Sequence, residues 1–292
     1  MKCFYHEDID GKCAGAIVAY FEKDYNPEDF FQVNYVQDLP IDNIKNEEKV
    51  YFVDYAFTEP TKHFLDELIK KHCDIIHIDH HISTMNLYEK YPFYENLKGI
   101  RSDSCSGAAL TWMWFNHCSF EDCPLFIKFV SDYDCWQFVY KEKTNYFKLG
   151  VEGGKYNALD DIWNNLIIES EESDTELFDN LLYRGKIIRD YVDENNTIYR
   201  NSYSYETEIN GLRCLAVNKK CNSWVFGKYY DKYPIVMVWA FNGEKYVYSI
   251  FSGDPNVDCS KIAESYGGGG HQGAAGFALN DMPFKKMYER GF

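Results

Sequence analysis

The sequence predicts an α/β protein: an N-terminal, mostly parallel sheet with helices on both faces, followed by a smaller C-terminal α/β domain. Two observations carry this. In the first half, short apolar runs alternate with amphipathic stretches, the pattern of strands joined by helical crossovers. From Tyr203 onward β-rich runs return, and two of them flank Asn242-Gly243, a strong hairpin signal.

The elements follow in order. KCFYH (2–6) reads as a buried strand and CAGAIVAYFEK (13–23) as a helix of small residues. KVYFVDY (49–55) is a second strand, and TEPTKHFLDELIKK (58–71) a helix with Pro60 near its start, where proline is tolerated. CDIIHID (73–79) is a third strand; SDSCSGAALTWMWF (102–115) and PLFIKFVSDYDCW (124–136) are helices. Residues 151–200 are rich in Asp and Glu, and 175–196 carry apolar residues at helical spacing, a long connecting helix with a solvated face. GLRCLAVN, YPIVMVWAF and EKYVYSIF are strands, DCSKIAESY (258–266) a helix and FALN a final strand. The expected organisation is a first domain over 1–145, a helical linker over 146–202 and a second domain over 203–292.

Composition narrows the function. The chain of 292 residues is 46% hydrophobic and 26% charged, ordinary for a globular protein. It has no apolar stretch long enough for a transmembrane helix and no apolar core at its N-terminus, so no membrane and a cytoplasmic address are expected. Ten scattered cysteines without a C-x-x-C pair read as buried thiols rather than a disulfide or zinc framework. The formal net charge of −16, with no basic run, argues against long duplex DNA as a partner and favours a short phosphorylated substrate. Aromatic residues make up 18% of the chain, which leaves apolar surface enough for a homodimer.

Acidic and imidazole residues gather where the expected strands end. His6, Asp8 and Asp10 lie in YHEDIDG, Asp54 ends VYFVD, Asp79, His80 and His81 end the third strand, and Asp132 and Asp134 follow FIKFV. Parallel sheets bind ligands at the carboxyl ends of their strands. Carboxylates and imidazoles together suit hard or borderline divalent cations, Mn²⁺ above all and Mg²⁺ also. Each cluster taken singly has a plain structural explanation, as a helix cap or a surface turn. GGGGH (267–271) lacks the Lys-Ser/Thr of a P-loop and by itself reads as a joint. Their joint occurrence at successive strand ends points to one site with two metals able to activate a water for attack on phosphorus.

In these motifs the chain resembles the DHH phosphoesterases, and in GGGGHQGAAGF the members with a DHHA1 second domain. The resemblance covers nearly the whole chain. It implies two Mn²⁺ ions, one held by His6, Asp8 and Asp54 and the other by Asp10, Asp54, His80 and Asp132, with Asp54 bridging. Asp132 is preferred to Asp134 because it follows the apolar run more closely. The resemblance also implies that Asp79 orients a neighbouring histidine, that His81 faces the leaving oxygen, and that Gly269, Gly270 and His271 meet a substrate phosphate or terminal nucleotide. The implied function is a phosphodiesterase acting on short oligoribonucleotides or linear dinucleotides. The alternatives are a pyrophosphatase or polyphosphatase, and a non-catalytic nucleotide-binding module. One departure stands out: Phe251 occupies a position where family members carry an arginine that clamps phosphate.

Overall fold

The computed structural model describes residues 1–34 and 39–285, which divide into two compact units, Met1–Arg189 and Asp190–Phe292. The first unit is built on β1 (Lys2–His6), α1 (Ile9–Glu22), β2 (Phe30–Val33), β3 (Lys49–Val53), α2 (Lys62–Lys70) and β4 (Asp74–Ile78). Helices α3 (Ile82–Lys90), α4 (Gly107–Asn116), α5 (Leu125–Asp134), α6 (Glu142–Glu152) and α7 (Asp161–Glu171) follow. The four strands form a parallel sheet in the order β2-β1-β3-β4.

Strand alternation sorts the core into two layers. Cys3, Tyr5, Tyr51, Val53, Ile76 and Ile78 point to one face and pack on α1, α4, α5, α6 and α7. Phe4, Val50, Phe52 and Ile75 point to the other, against Leu65 and Leu68 of α2 and Leu87 and Tyr88 of α3. Phe4 and Phe52 stack at 4.9 Å in the middle of that layer. Truncating a buried phenylalanine such as Phe52 costs about 3–5 kcal/mol. The near-continuous apolar strands are what a sheet covered on both sides demands.

Four features depart from the expected layout. Strand β2 was not anticipated: FFQV is four residues long and lies at the sheet edge, too short to show a period. Helix α1 begins at Ile9, four residues earlier than read, because Asp8 caps it. Helix α2 begins at Lys62, so Pro60 belongs to the preceding turn. The expected linker over 146–202 is largely absorbed into the first unit, where Phe147, Val151, Trp163, Leu166 and Phe178 complete the core. The unit boundary falls inside α8 (Glu176–Tyr203) instead.

The second unit holds β5 (Ser204–Ile209), β6 (Leu212–Asn218), β7 (Ile235–Phe241), β8 (Tyr246–Phe251), α9 (Cys259–Ser265), β9 (Gly269–His271) and β10 (Ala274–Leu279). Its mixed sheet runs β5-β6-β7-β8-β10-β9, with only β6 and β7 parallel. Helix α9 packs Cys259, Ile262 and Ala263 on one face, and Val225 and Phe226 cover the other. β7 and β8 form the expected hairpin, with Gly243 at φ 101° in a turn that glycine fits. The glycine run is not a loose joint: Gly269–His271 is an exposed edge strand paired with Ala274–Gly276. At Gly270, φ is 149° and a Cβ would collide with the Ala275 backbone, so only glycine fits. Phe251 ends β8, opposite Ala274 and Val236, and packs into the apolar cluster of Val225 and Phe226.

No helix among the described residues is long and apolar enough to cross a membrane, and none of the ten cysteines is in a disulfide.

Candidate metal centre

In the sheet order β2-β1-β3-β4, the chain leaves β1 toward one edge and β3 toward the other, so β1 and β3 flank the topological switch point. Open α/β sheets leave a crevice there at the strand carboxyl ends. His6 is the last residue of β1, Asp54 follows β3 directly, and Asp79 follows β4.

The first motif bends instead of staying extended. Asp8 is the N-cap of α1, its Oδ1 accepting from Gly11 N at 2.9 Å and its Oδ2 lying 2.8 Å from His6 Nδ1. A Cβ on Gly11 would strike the His6 backbone, so glycine lets α1 start hard against the strand end. Asp10 falls within the first turn and is fully buried. Its two oxygens accept from Gly107 N at 2.7 Å and Ala108 N at 3.0 Å, the first amides of α4. A helix N-terminus is a natural seat for a carboxylate.

Asp54 is the centre of the cluster. It is 1% exposed, sits at φ 53°, and neither carboxylate oxygen has a hydrogen-bond partner. A non-glycine residue in the left-handed region is held there by its surroundings at a cost. His80 Nε2 lies 3.3 Å from Asp54 Oδ1, 3.2 Å from Asp134 Oδ2 and 4.0 Å from Asp10 Oδ2. His81 Nδ1 is 2.7 Å from Asp79 Oδ1 and 4.0 Å from Asp54 Oδ1. Asp79 is itself buried and takes a short hydrogen bond from Thr84.

Asp132 is not where the sequence put it. Its carboxylate is spent on the loop after α5, accepting from Val139 N at 2.7 Å, Tyr140 N at 3.2 Å and the Thr144 hydroxyl. Asp134, two residues further along α5, faces His80 instead. Two residues along a helix turn the side chain through about 200°, so only one of the pair can face the cluster. The geometry thus sets Asp134, and not the preferred Asp132, beside His80.

Potential metal-ligating atoms fall into three overlapping groups: His6, Asp8 and Asp54; Asp54, His80 and His81; and His80, Asp134 and Cys135. Asp54 is shared by the first two and His80 by the last two. Cys135 and the α4 amides were missed from sequence. Cys135 carried no ligand spacing, whereas Ser106-Gly107 before an apolar run was a cap signal in plain view.

The electrostatics are those of excess negative charge. Burial raises Asp54 well above the usual carboxylate range, and Asp10, Asp8 and Asp134 add to it. Burial likewise lifts Asp134 to about 7, with Asp10 and Asp8 as further causes. Burial works against charge on His80, but the Cys135 contact and the Asp10 and Asp134 charges outweigh it and raise the ring to about 9. Burial also opposes ionisation of Asp79, yet the His81 hydrogen bond keeps it below its ordinary value. Buried carboxylates without donors are costly. Orphaned Asp54 oxygens ringed by carboxylates and imidazoles are the donor set of a divalent cation, so these residues fit one.

A parallel unit followed by a mixed-sheet unit with a glycine edge strand is a fold shared with solved structures that include a DHH domain. Among solved structures the chain is similar to the pGpG-specific phosphodiesterase PggH of Vibrio cholerae, with TM-score 0.58 at 13% identity over 96% of this chain and 94% of that one. It is also similar to the DHH domain of a member of the S1p family of ribosomal proteins, with TM-score 0.54 at 15% identity over 94% and 81%. No family model matches the chain. In sequence it is 26% identical over 271 residues to an uncharacterized protein of Acanthamoeba polyphaga mimivirus, spanning 86% of this chain and 58% of that protein, little more than half its length.

Proposed function

We propose that this protein is a divalent-metal-dependent phosphodiesterase acting on short nucleotides, such as oligoribonucleotides of a few residues or linear dinucleotides. The observation that carries the reading is the buried Asp54 carboxylate without a hydrogen-bond donor, set between two imidazole-carboxylate groups. His6, Asp8 and Asp54 would hold one ion, Mn²⁺ or Mg²⁺, and Asp10, Asp54, His80 and Asp134 a second. A pair of such cations supplies Lewis acidity for in-line displacement at phosphorus and lowers the pKa of the attacking water.

The chain's own residues do the rest. Asp10, clamped by the α4 amides, and Asp8, clamped by Gly11 N, keep their carboxylates from swinging. Asp79 accepts from His81 Nδ1, which fixes the ring and leaves Nε2 as the atom that, in the imidazolium form, would give a proton to the leaving oxygen. In the second unit, Gly269, Gly270 and His271 would meet substrate phosphate along the exposed strand β9, where backbone N–H groups can approach an anion closely. With Phe251 in place of an arginine, that unit has no bidentate clamp at the end of β8. The net charge of −16 supports a short substrate over a long duplex.

The test is hydrolysis of a panel of dinucleotides, short oligoribonucleotides and pyrophosphate with and without Mn²⁺, with Asp54→Ala as control. Mononucleotide release that needs both Mn²⁺ and Asp54 is expected. Orthophosphate from pyrophosphate alone would move the assignment to a pyrophosphatase, and nucleotide binding without turnover and insensitive to chelator would make the protein a binding module.

A further inference from the structure

Beside the metal cluster, the first unit has a cavity of about 250 Å³ that shares Asp8 with it. Ile9, Val151 and the buried Trp163 supply apolar wall, and Glu7, Glu152, Tyr156, Lys12 and Lys155 the polar part. Its acidic members are already engaged. Glu7 accepts from Asn34 Nδ2 at 2.6 Å, Glu152 pairs with Lys148 at 2.6 Å, and Asp8 is held by His6 and Gly11. Among the described residues, neither Lys12 nor Lys155 forms a hydrogen bond or salt bridge through its side chain.

The position of each lysine is fixed by its element. Lys12 lies in the first turn of α1, one residue past Gly11, and its backbone N–H donates to Asp8 O at 3.1 Å. Lys155 sits at φ 54° in the turn after α6, beside Tyr156. Tyr156 is held in turn by Arg184, which donates to its hydroxyl at 3.2 Å and lies 5.4 Å from its ring centroid. The Trp163 indole N–H is spent on Asn157 O at 2.9 Å, so the apolar wall has no donor of its own to offer. Lys12 and Lys155 thus line the cavity together with Tyr156 and Trp163, next to Asp8, an expected metal ligand.

We infer that this cavity is a subsite for a terminal phosphate group of the substrate, recognised by Lys12 and Lys155 while the scissile phosphodiester lies at the metal cluster. The inference rests on the proposed phosphodiesterase reading for what occupies the cluster. The volume decides the size of the occupant: pockets for whole small-molecule ligands run to about 300–1,000 Å³, so this one takes a fragment of the substrate and not a second nucleotide. A phosphate monoester carries nearly two charges, which two lysines neutralise and a 5′ or 3′ hydroxyl does not need. This offers a cationic phosphate contact within the first unit, while Phe251 leaves the end of β8 in the second without an arginine.

Equilibrium binding in the presence of chelator tests the subsite without relying on turnover. The probes are one dinucleotide in three forms: 5′-phosphorylated, 3′-phosphorylated and with hydroxyls at both ends. One phosphorylated form is expected to bind the wild-type protein on the order of tenfold tighter than the hydroxyl form. In Lys12→Gln/Lys155→Gln, with folding checked by thermal melting, that ratio should fall to near one. Equal binding of all three probes by the wild type overturns the subsite, as does a preference that survives in the double variant. Failure of the phosphodiesterase reading shows separately, as absence of Mn²⁺-dependent turnover of any of the three.

Discussion

Gly107 lies so close to Asp54 that a Cβ on it would fall 2.6 Å from the Asp54 Cβ. The first turn of α4 can thus reach the Asp10 carboxylate with its amides only because residue 107 has no side chain. Gly107→Ala is expected to push Asp54 or the helix terminus by a good fraction of an ångström. A displacement of that order in a catalytic constellation costs about 100-fold in rate. Steady-state hydrolysis of a dinucleotide by a variant that still melts cooperatively would show it, and a rate within a few fold of wild type would refute the packing argument.

Asp54 also makes a stability prediction opposite in sign to its effect on activity. Its carboxylate is buried among other carboxylates and makes no hydrogen bond, with the His80 ring 3.3 Å away to offset part of the crowding. Asn keeps the shape, tolerates φ 53° and removes the charge. In chelator, Asp54→Asn should therefore melt higher than wild type, by roughly 2–4 °C if the relief is near 1 kcal/mol. With excess Mn²⁺ the order should reverse, because a ligand at 100 times its Kd stabilises by about 2.7 kcal/mol only the protein that binds it. Melting curves of both proteins in chelator and in Mn²⁺ provide the check.

The first unit's sheet was largely legible from sequence because its strands are continuous apolar runs that end in chemistry-bearing residues. His6, Asp54 and Asp79 could be placed at strand ends from the pattern alone. What stayed hidden was set by contacts distant in sequence. Strand β2 exists because an edge position needs only four residues, and α6 and α7 belong to the first unit because Trp163 and Phe147 fill its core. Asp132 and Asp134 stand in one acidic string, and only the helix phase of α5 tells the loop-holding residue from the one facing His80.

His77 gives the pH dependence a separate handle. Buried on β4, it contacts Tyr55 O through Nε2 at 2.9 Å and the Tyr88 hydroxyl through Nδ1 at 2.6 Å. A carbonyl only accepts, so Nε2 carries the proton and Nδ1 accepts from Tyr88 in the neutral ring. Burial lowers its pKa to about 4, against 6.5 when exposed. Between those values the unfolded chain binds more protons than the folded one, so stability is full above pH 6.5 and is lost as pH falls toward 4. The loss from this residue is about 3 kcal/mol. His77→Gln should flatten the fall in stability between pH 6.5 and 4 measured by denaturant unfolding, and an unchanged slope would remove His77 as its cause.

The two aspartates at the end of α5 make the sharpest comparison. Asp132 accepts from Val139 N, Tyr140 N and Thr144 at once, all within the first unit. Asp132→Asn leaves buried donors imperfectly paired and should cost about 1–3 kcal/mol. The Mn²⁺-induced rise in melting temperature should survive it, since this carboxylate is turned away from His80. Asp134→Asn should do the reverse. Its carboxylate is lifted to about 7 by burial and by Asp10 and Asp8, so neutralising it costs the metal-free fold little. It should weaken Mn²⁺ at least about tenfold, in the range reported for loss of groups that hold or orient a metal. Titrating Mn²⁺ into both variants by calorimetry decides between them. Loss of binding in Asp132→Asn with retention in Asp134→Asn would restore the sequence-based choice and overturn the one the α5 geometry makes.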